Sequence, residues 1–145
     1  MVELSEQRRT LYAQFQPMFW RKAENSRAAQ TPYFENQLAR ENVLTLVAED
    51  QNTGAMAGFV MAALIPAPPV YDPDGLTCLL DDFCVAEAAE WRPVGEALLA
   101  AVGEQAQARG AVQFVVVCAH LDRPKREALR SLGFDLASEW YVREI

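Results

Sequence analysis

The sequence predicts a mixed α/β (α+β) fold, a central sheet flanked by helices, and three observations carry that prediction. Apolar side chains in the first forty residues recur near a 3.6-residue period. From residue 43 the pattern changes to short apolar runs broken by turn residues, and helical and strand-like segments then alternate to the end. At 145 residues the chain has the length of one domain, by a prior of roughly 150 residues each, so residues 1–145 are expected to form a single domain.

The elements follow in order. Leu4, Leu11, Tyr12, Phe15, Met18 and Phe19 mark a first helix, interrupted at Pro17. A second runs from about Ser26 or Pro32 to Arg40, with Phe34 and Leu38 turned inward. Residues 43–49 and 55–65 are apolar runs separated by Asp50-Gln51-Asn52-Thr53-Gly54, which signals a hairpin. Residues 66–75 hold four of the eight prolines and read as an irregular loop before a strand over 76–85, in which Asp81 and Asp82 sit oddly. Over 94–109, Val94, Ala97, Leu98, Ala101 and Val102 line one helical face, with Pro93 suited to the first turn and Gly110 to the end. The almost unbroken apolar run 112–119 suggests a strand buried on both faces, as in a parallel pair. Asp122 is placed to cap a short helix that carries Ala128, Leu129 and Leu132 and stops at Gly133. Residues 138–144 alternate as a closing strand, giving the order α-α-β-β-β-α-β-α-β.

Composition narrows the function. Hydrophobic residues make up 51% and charged residues 23%, which is globular composition. Thirteen Lys and Arg against twenty Asp and Glu leave a net charge of −7, with no basic cluster to displace counterions, so a duplex nucleic-acid partner is not expected. The negative field favours cationic small molecules or basic partners. No run of about 18 apolar residues is present, so no membrane-spanning helix is expected. Met1 to Thr10 lacks the apolar stretch of a signal peptide, and Cys78, Cys84 and Cys118 are odd in number and apolar in context. A cytoplasmic protein with reduced, buried thiols is the expectation, without disulfides. A single histidine makes a His-based metal site unexpected.

The strand, turn and helix over 79–99 carry the most chemical information. A helix that starts just after a strand presents unpaired N–H groups and a positive dipole end, and a glycine in its first turn, here Gly95, lets a phosphate approach the backbone. With its surroundings, the segment resembles the GNAT superfamily of acyl-CoA-dependent N-acetyltransferases. Ala55-Met56-Ala57-Gly58-Phe59-Val60 is similar to that family's third strand, and Leu80-Asp81-Asp82-Phe83-Cys84-Val85 to its fourth. Gly95-Glu96-Ala97-Leu98-Leu99 resembles the pyrophosphate helix; Asp122 and Leu132-Gly133-Phe134 resemble the second CoA-contacting helix and its closing turn. The likeness covers roughly residues 43–145. It implies a mixed, mainly antiparallel sheet and acetyl-CoA as co-substrate. The pantetheine arm would add as a strand along Phe83, Cys84 and Val85. The pyrophosphate would lie on the N–H groups of Arg92, Val94, Gly95, Glu96 and Ala97, beside Trp91. Arg92 would add a charged contact, and Lys125 would reach the nucleotide end.

Two departures stand out. The family's loop reads Arg or Gln, two residues, Gly, one residue, then Gly or Ala. Counting from Val85 puts Glu90 where Arg or Gln belongs, and Trp91 and Pro93 where small residues lie. An alternative register through Arg92, Gly95 and Ala97 fits the letters but lengthens the loop. Both leave Gly95 at the phosphates. Where many relatives carry a tyrosine as acid for the departing thiolate, four residues before the Gly-Phe turn, this chain has Leu129.

Acyl transfer needs an amine stripped of its proton, a polarised carbonyl and a proton for sulfur. Asp81 and Asp82 are candidates for the first task, directly or through water. His120, whose ordinary pKa suits proton transfer, and Tyr141 stand beyond them. The resemblance implies transfer of an acetyl group to a primary amine of a small, cationic-leaning acceptor, by direct attack in a ternary complex. The first two helices would wall the acceptor pocket. The family's short first strand is not evident before those helices, which leaves that edge shortened or supplied by the partner subunit of a homodimer. Two other readings stay open: a catalytically weak CoA-binding module, favoured by Leu129, Pro93 and Glu90, and a purely structural interaction domain.

Overall fold

The computed structural model describes residues 1–145. Helices α1 (Val2–Phe15) and α2 (Ser26–Leu38) precede strands β1 (Val43–Glu49), β2 (Met56–Ile65) and β3 (Leu76–Val85). A 3-10 turn (Ala88–Trp91) leads into α3 (Pro93–Gln107), followed by β4 (Ala111–Val116) and α4 (Arg123–Ser131). The four strands form one sheet in the order β1-β2-β3-β4, antiparallel except for the parallel pair β3/β4. No helix is long and apolar enough to cross a membrane.

Strand alternation divides the core into two layers. Val60, Ala62 and Leu64 of β2 face α3, with Leu98, Leu99, Val102 and Ala106, and α4 adds Ala128 and Leu129. Phe59 and Met61 face the other way, where Phe34 of α2 and the start of α1 cover them. Helix α3 sits close on β2 at Gly58, where a Cβ would come within 3.0 Å of Val94 Cγ1 and 2.9 Å of the Cys84 carbonyl oxygen.

One irregularity decides what β3 presents. Met61 pairs with Asp82 and Ala62 with Leu80, so Asp81 is an extra residue opposite no partner, a β-bulge. Upstream of it Cys78 and Leu80 face α3; downstream Phe83 faces α3 while Cys84 faces α1 and α2. The extra residue inverts the alternation, and this accounts for two adjacent acidic residues inside an apolar strand.

Several expectations are corrected. Residues 138–144 form no strand: the chain beyond α4 has no regular structure, and Trp140 and Tyr141 are exposed. The alternating pattern is strand-like, but no ladder forms, so β4 remains an edge. For the same reason β4 is not buried on both faces; Val112 and Val115 are exposed. In α1 the apolar period does not mark the inward face, since Leu11 is exposed while Ser5, Glu6 and Tyr12 are buried. Leu38 of α2 is exposed as well, and Phe34 alone of that pair points in.

Candidate functional site

The last paired residues of β3 and β4 are Leu80 and Val116, and the Val117 N–H still donates to the Leu80 carbonyl at 3.0 Å. Beyond them the strands part. β3 continues to Val85, paired on one side with β2. The Ala86 N–H donates to the Ala57 carbonyl at 2.7 Å, so by alternation the backbone groups of Phe83 and Val85 turn towards the gap. A bulge increases local twist, which is the physical reason the strand leaves its parallel neighbour here.

Lys125 fills the apex of this V. It is fully buried, and its Nζ donates to the Val117 carbonyl at 2.8 Å and the Phe83 carbonyl at 3.2 Å, one from each parting strand. The ammonium lies 5.2 Å from the ring centroids of both Phe83 and Trp91. Burial, reinforced by the nearby Arg8 guanidinium, pushes its pKa down to about 8.

Helix α1 closes the opposite face with two side chains one turn apart. Arg8 donates to the Phe83 carbonyl and pairs with Asp82 Oδ1 at 3.3 Å. The Tyr12 hydroxyl donates to Asp122 Oδ2 at 2.8 Å, and the other carboxylate oxygen of Asp122 accepts the Lys125 N–H to cap α4. One helix thus holds both arms of the V. Burial raises the Tyr12 pKa, and it raises that of Asp82 although Arg8 opposes it. Burial also lifts the Cys84 thiol and pushes Cys118 up to about 11, so neither is an activated nucleophile.

The mouth of the V leads to the start of α3. Glu87 and Glu90 form a reciprocal cap over the 3-10 turn, in which the Glu87 N–H donates to Glu90 Oε2 at 3.1 Å. The carboxylate at the expected Arg or Gln position is therefore engaged with the backbone. In the first turn the Glu96 N–H bonds to the Arg92 carbonyl, while Val94 and Gly95 occupy positions whose N–H groups have no intrahelical acceptor. Arg92, Glu96 and Ala97 are exposed around them.

The sequence-derived candidates fall into three groups. Asp82, Phe83, Cys84, Asp122 and Lys125 gather at the V, with Val85 at the mouth, but Lys125 points into the apex and not towards a nucleotide end. Arg92, Val94, Gly95, Glu96 and Ala97 gather at the α3 start. Trp91 is buried there, edge-on to Phe83 at 4.9 Å, as a core residue. The other candidates are dispersed. Asp81 is exposed at the bulge, whereas its neighbour Asp82 is buried; His120 is exposed on the turn after β4; Tyr141 is exposed on the tail, bonded to Glu139. Sequence reasoning missed Arg8 and Tyr12. An arginine on the same helical face as Tyr12, inside an otherwise apolar stripe, was the available signal.

An open groove of about 500 Å³ lies on the sheet face away from α3, lined by Leu79, Val115, Thr77, Gln113 and the segment around Tyr71.

The acetyltransferase (GNAT) family model matches residues 7–134. No curated protein matches the chain. Among solved structures, a mutant form of a Bacillus halodurans protein superposes with a TM-score of 0.82 at 16% identity, over 99% of this chain and 90% of that one. An aminoglycoside N-acetyltransferase in complex with CoA superposes at 0.65 and 18% identity, over 97% and 87%. A ribosomal-protein-alanine N-acetyltransferase from Brucella melitensis gives 0.61 and 18% identity, over 94% and 87%. At these identities the likeness is one of fold.

Proposed function

The chain belongs to the acetyltransferase (GNAT) family, and from that premise we propose that it transfers an acetyl group from acetyl-CoA to a primary amine of a small acceptor, by direct attack in a ternary complex. The observation that carries the proposal is the open V between β3 and β4, with the start of α3 at its mouth. The Phe83 carbonyl is taken by Lys125 and Arg8, and the backbone groups of Val85, turned towards the gap, suit an added amide-bearing arm. The Val94 and Gly95 N–H groups, at the positive end of α3 and beside Arg92, suit a pyrophosphate. Acetyl-CoA supplies the activated acyl group; the protein's own groups orient it and exclude water.

The acceptor would approach from the face opposite α3, past the groove of Leu79 and Val115. Asp81, two residues further along β3 and exposed, would hold or deprotonate the amine there. Asp82 is committed to Arg8, so its part is to position α1 against β3. The net charge of −7 favours a cationic acceptor.

A second reading has a specific observation behind it. Leu129, where a proton donor is common in the family, is a buried core residue, which favours a module that binds CoA without turnover. Calorimetric titration with acetyl-CoA, followed by an amine panel, separates the readings. Micromolar binding with turnover, and a raised amine KM in Asp81→Asn at unchanged cofactor affinity, is the expected result. Binding without turnover on any amine leaves the second reading, and no binding at millimolar cofactor removes both.

A further inference from the structure

Resting on that reading, we infer that the acceptor is a primary amine with an apolar tail, and that the groove beside the parting strands holds the tail while Asp81 meets the amine. Leu79 and Val115 pair across β3 and β4 one step before the last pair, Leu80 and Val116, after which the strands separate. Their side chains lie on the face away from α3, since Cys78 and Leu80 on either side of Leu79 join the core under that helix. The groove of about 500 Å³ therefore begins at the apex of the V and runs back along β3 to Thr77, a size usual for small-molecule sites. Asp81, exposed, stands two residues from Leu79 at the inner end, about 7 Å along the strand.

The walls define the tail. Ile65, Leu79, Val115 and Tyr71 make them mostly apolar. The polar pair on the strands is closed on itself: Gln113 Nε2 donates to Thr77 Oγ1 at 2.8 Å. No lysine or arginine lines the groove, so nothing there would receive a carboxylate or phosphate. Its one charged residue is Asp72, on the loop joining the far ends of β2 and β3, where Oδ1 accepts the Asp74 N–H at 3.0 Å. Val115 and Tyr71 are 43% and 71% exposed, so a tail seated between them removes apolar surface from water that the fold leaves uncovered. An ammonium at Asp81 with hydrocarbon along Leu79 and Val115 is the complement of this layout. An aminosugar or polyamine would set hydroxyls or charges against the walls and lose their hydration.

The test uses the straight-chain amines from ethylamine to hexylamine, with hexamethylenediamine as the doubly charged match to hexylamine. With acetyl-CoA as donor, kcat/KM should rise about two- to fourfold per added methylene, carried by KM, and hexylamine should outrun the diamine. A flat or falling series would overturn the assignment while leaving the acetyltransferase reading intact. So would preference for the diamine, whose second ammonium would then reach Asp72. Should no amine turn over, the Kd values of the same series, measured by calorimetry on protein saturated with CoA, decide the matter. Hexylamine at least about tenfold tighter than ethylamine supports the groove's role, and equal values refute it. Failure of the wild type to bind acetyl-CoA would instead sink the acetyltransferase reading, and the inference with it.

Two variants locate the tail. Val115→Lys sets an ammonium on the groove wall at an exposed position of the edge strand β4, where lysine is well tolerated. It should cut the hexylamine-to-ethylamine ratio of kcat/KM about tenfold or more. Tyr71→Ala, on the loop and outside the sheet, should cut the same ratio several-fold. If both variants keep the wild-type ratio, the tail lies elsewhere and the assignment fails. A flat wild-type series from a protein that is dimeric by light scattering would likewise refute it and give the groove to a second copy of the chain.

Discussion

Gly95 has a packing reason to be glycine as well as its place in the first turn of α3. A Cβ there would lie 3.0 Å from Trp91 Cε3, and the Trp91 ring is held edge-on against Phe83. The missing side chain therefore makes room for an indole in the core, whatever ligand the backbone N–H meets. Alanine would gain helix propensity of up to about 1 kcal/mol, but the pinned ring cannot retreat, and overpacking of this kind costs about 1–3 kcal/mol. We expect Gly95→Ala to lower the unfolding free energy by about 1 kcal/mol in urea titration followed by tryptophan fluorescence. A stabilised variant would show that the Trp91 ring moves. Asp81 and Asp82 teach the complementary lesson: adjacent in sequence and alike in chemistry, they differ because one is exposed at a bulge and the other is buried against Arg8.

At the scale of the element, the bulge in β3 is the device that opens the site. Deleting Asp81 leaves Phe83 facing α3 and Cys84 facing α1, because it removes the one residue that had no partner on β2. The core faces survive, but the extra twist goes, and a regular β3 can extend its ladder along β4. The expected outcome is a cooperatively folded protein whose affinity for acetyl-CoA drops at least tenfold, about 1.4 kcal/mol, in calorimetry. Unchanged affinity would mean that the strands part without the bulge. Helix α1 acts at the same scale. Its apolar period suggests an ordinary amphipathic helix, yet its working contacts are polar, Arg8 to β3 and Tyr12 to the turn before α4. Periodicity reports that a helix forms, not which neighbour it meets.

At the scale of the whole molecule, the tail after α4 makes little of the fold. Residues 135–145 are exposed, and the aromatic contact they make is Trp140 edge-on to Phe19 at 5.8 Å. Truncation after Asp135 should cost about 1 kcal/mol, the size of one such pair, in thermal or urea unfolding. A loss of several kcal/mol would mean that the tail is paired with a β4 edge in solution. This is also where sequence reading was weakest. The bounds of β1, β3 and α3 agree with the periodicity to within about two residues, the usual uncertainty of an element's end, because their signals are local: apolar period, Pro at a helix start, Gly past its end. The tail has an equally good local pattern and no partner strand, and pairing is not a local property.

The sequence by itself determined the fold class, most elements and the family likeness, since each follows from short-range chemistry along the chain. It also singled out the strand-to-helix segment over 79–99, because Gly95 and the acidic pair are unusual where they stand. Only the tertiary structure decided that Asp81 is a bulge, that Trp91 belongs to the core, and that Arg8, Tyr12 and Lys125 converge on the Phe83 and Val117 carbonyls and Asp122. Those residues are 42 to 110 positions apart from the partners they reach across the fold, Phe83 for Lys125 and Asp122 for Tyr12. No pattern within a segment can specify such a meeting; it arises when burial brings the sheet edge, α1 and α4 against one another and their polar groups must find partners there.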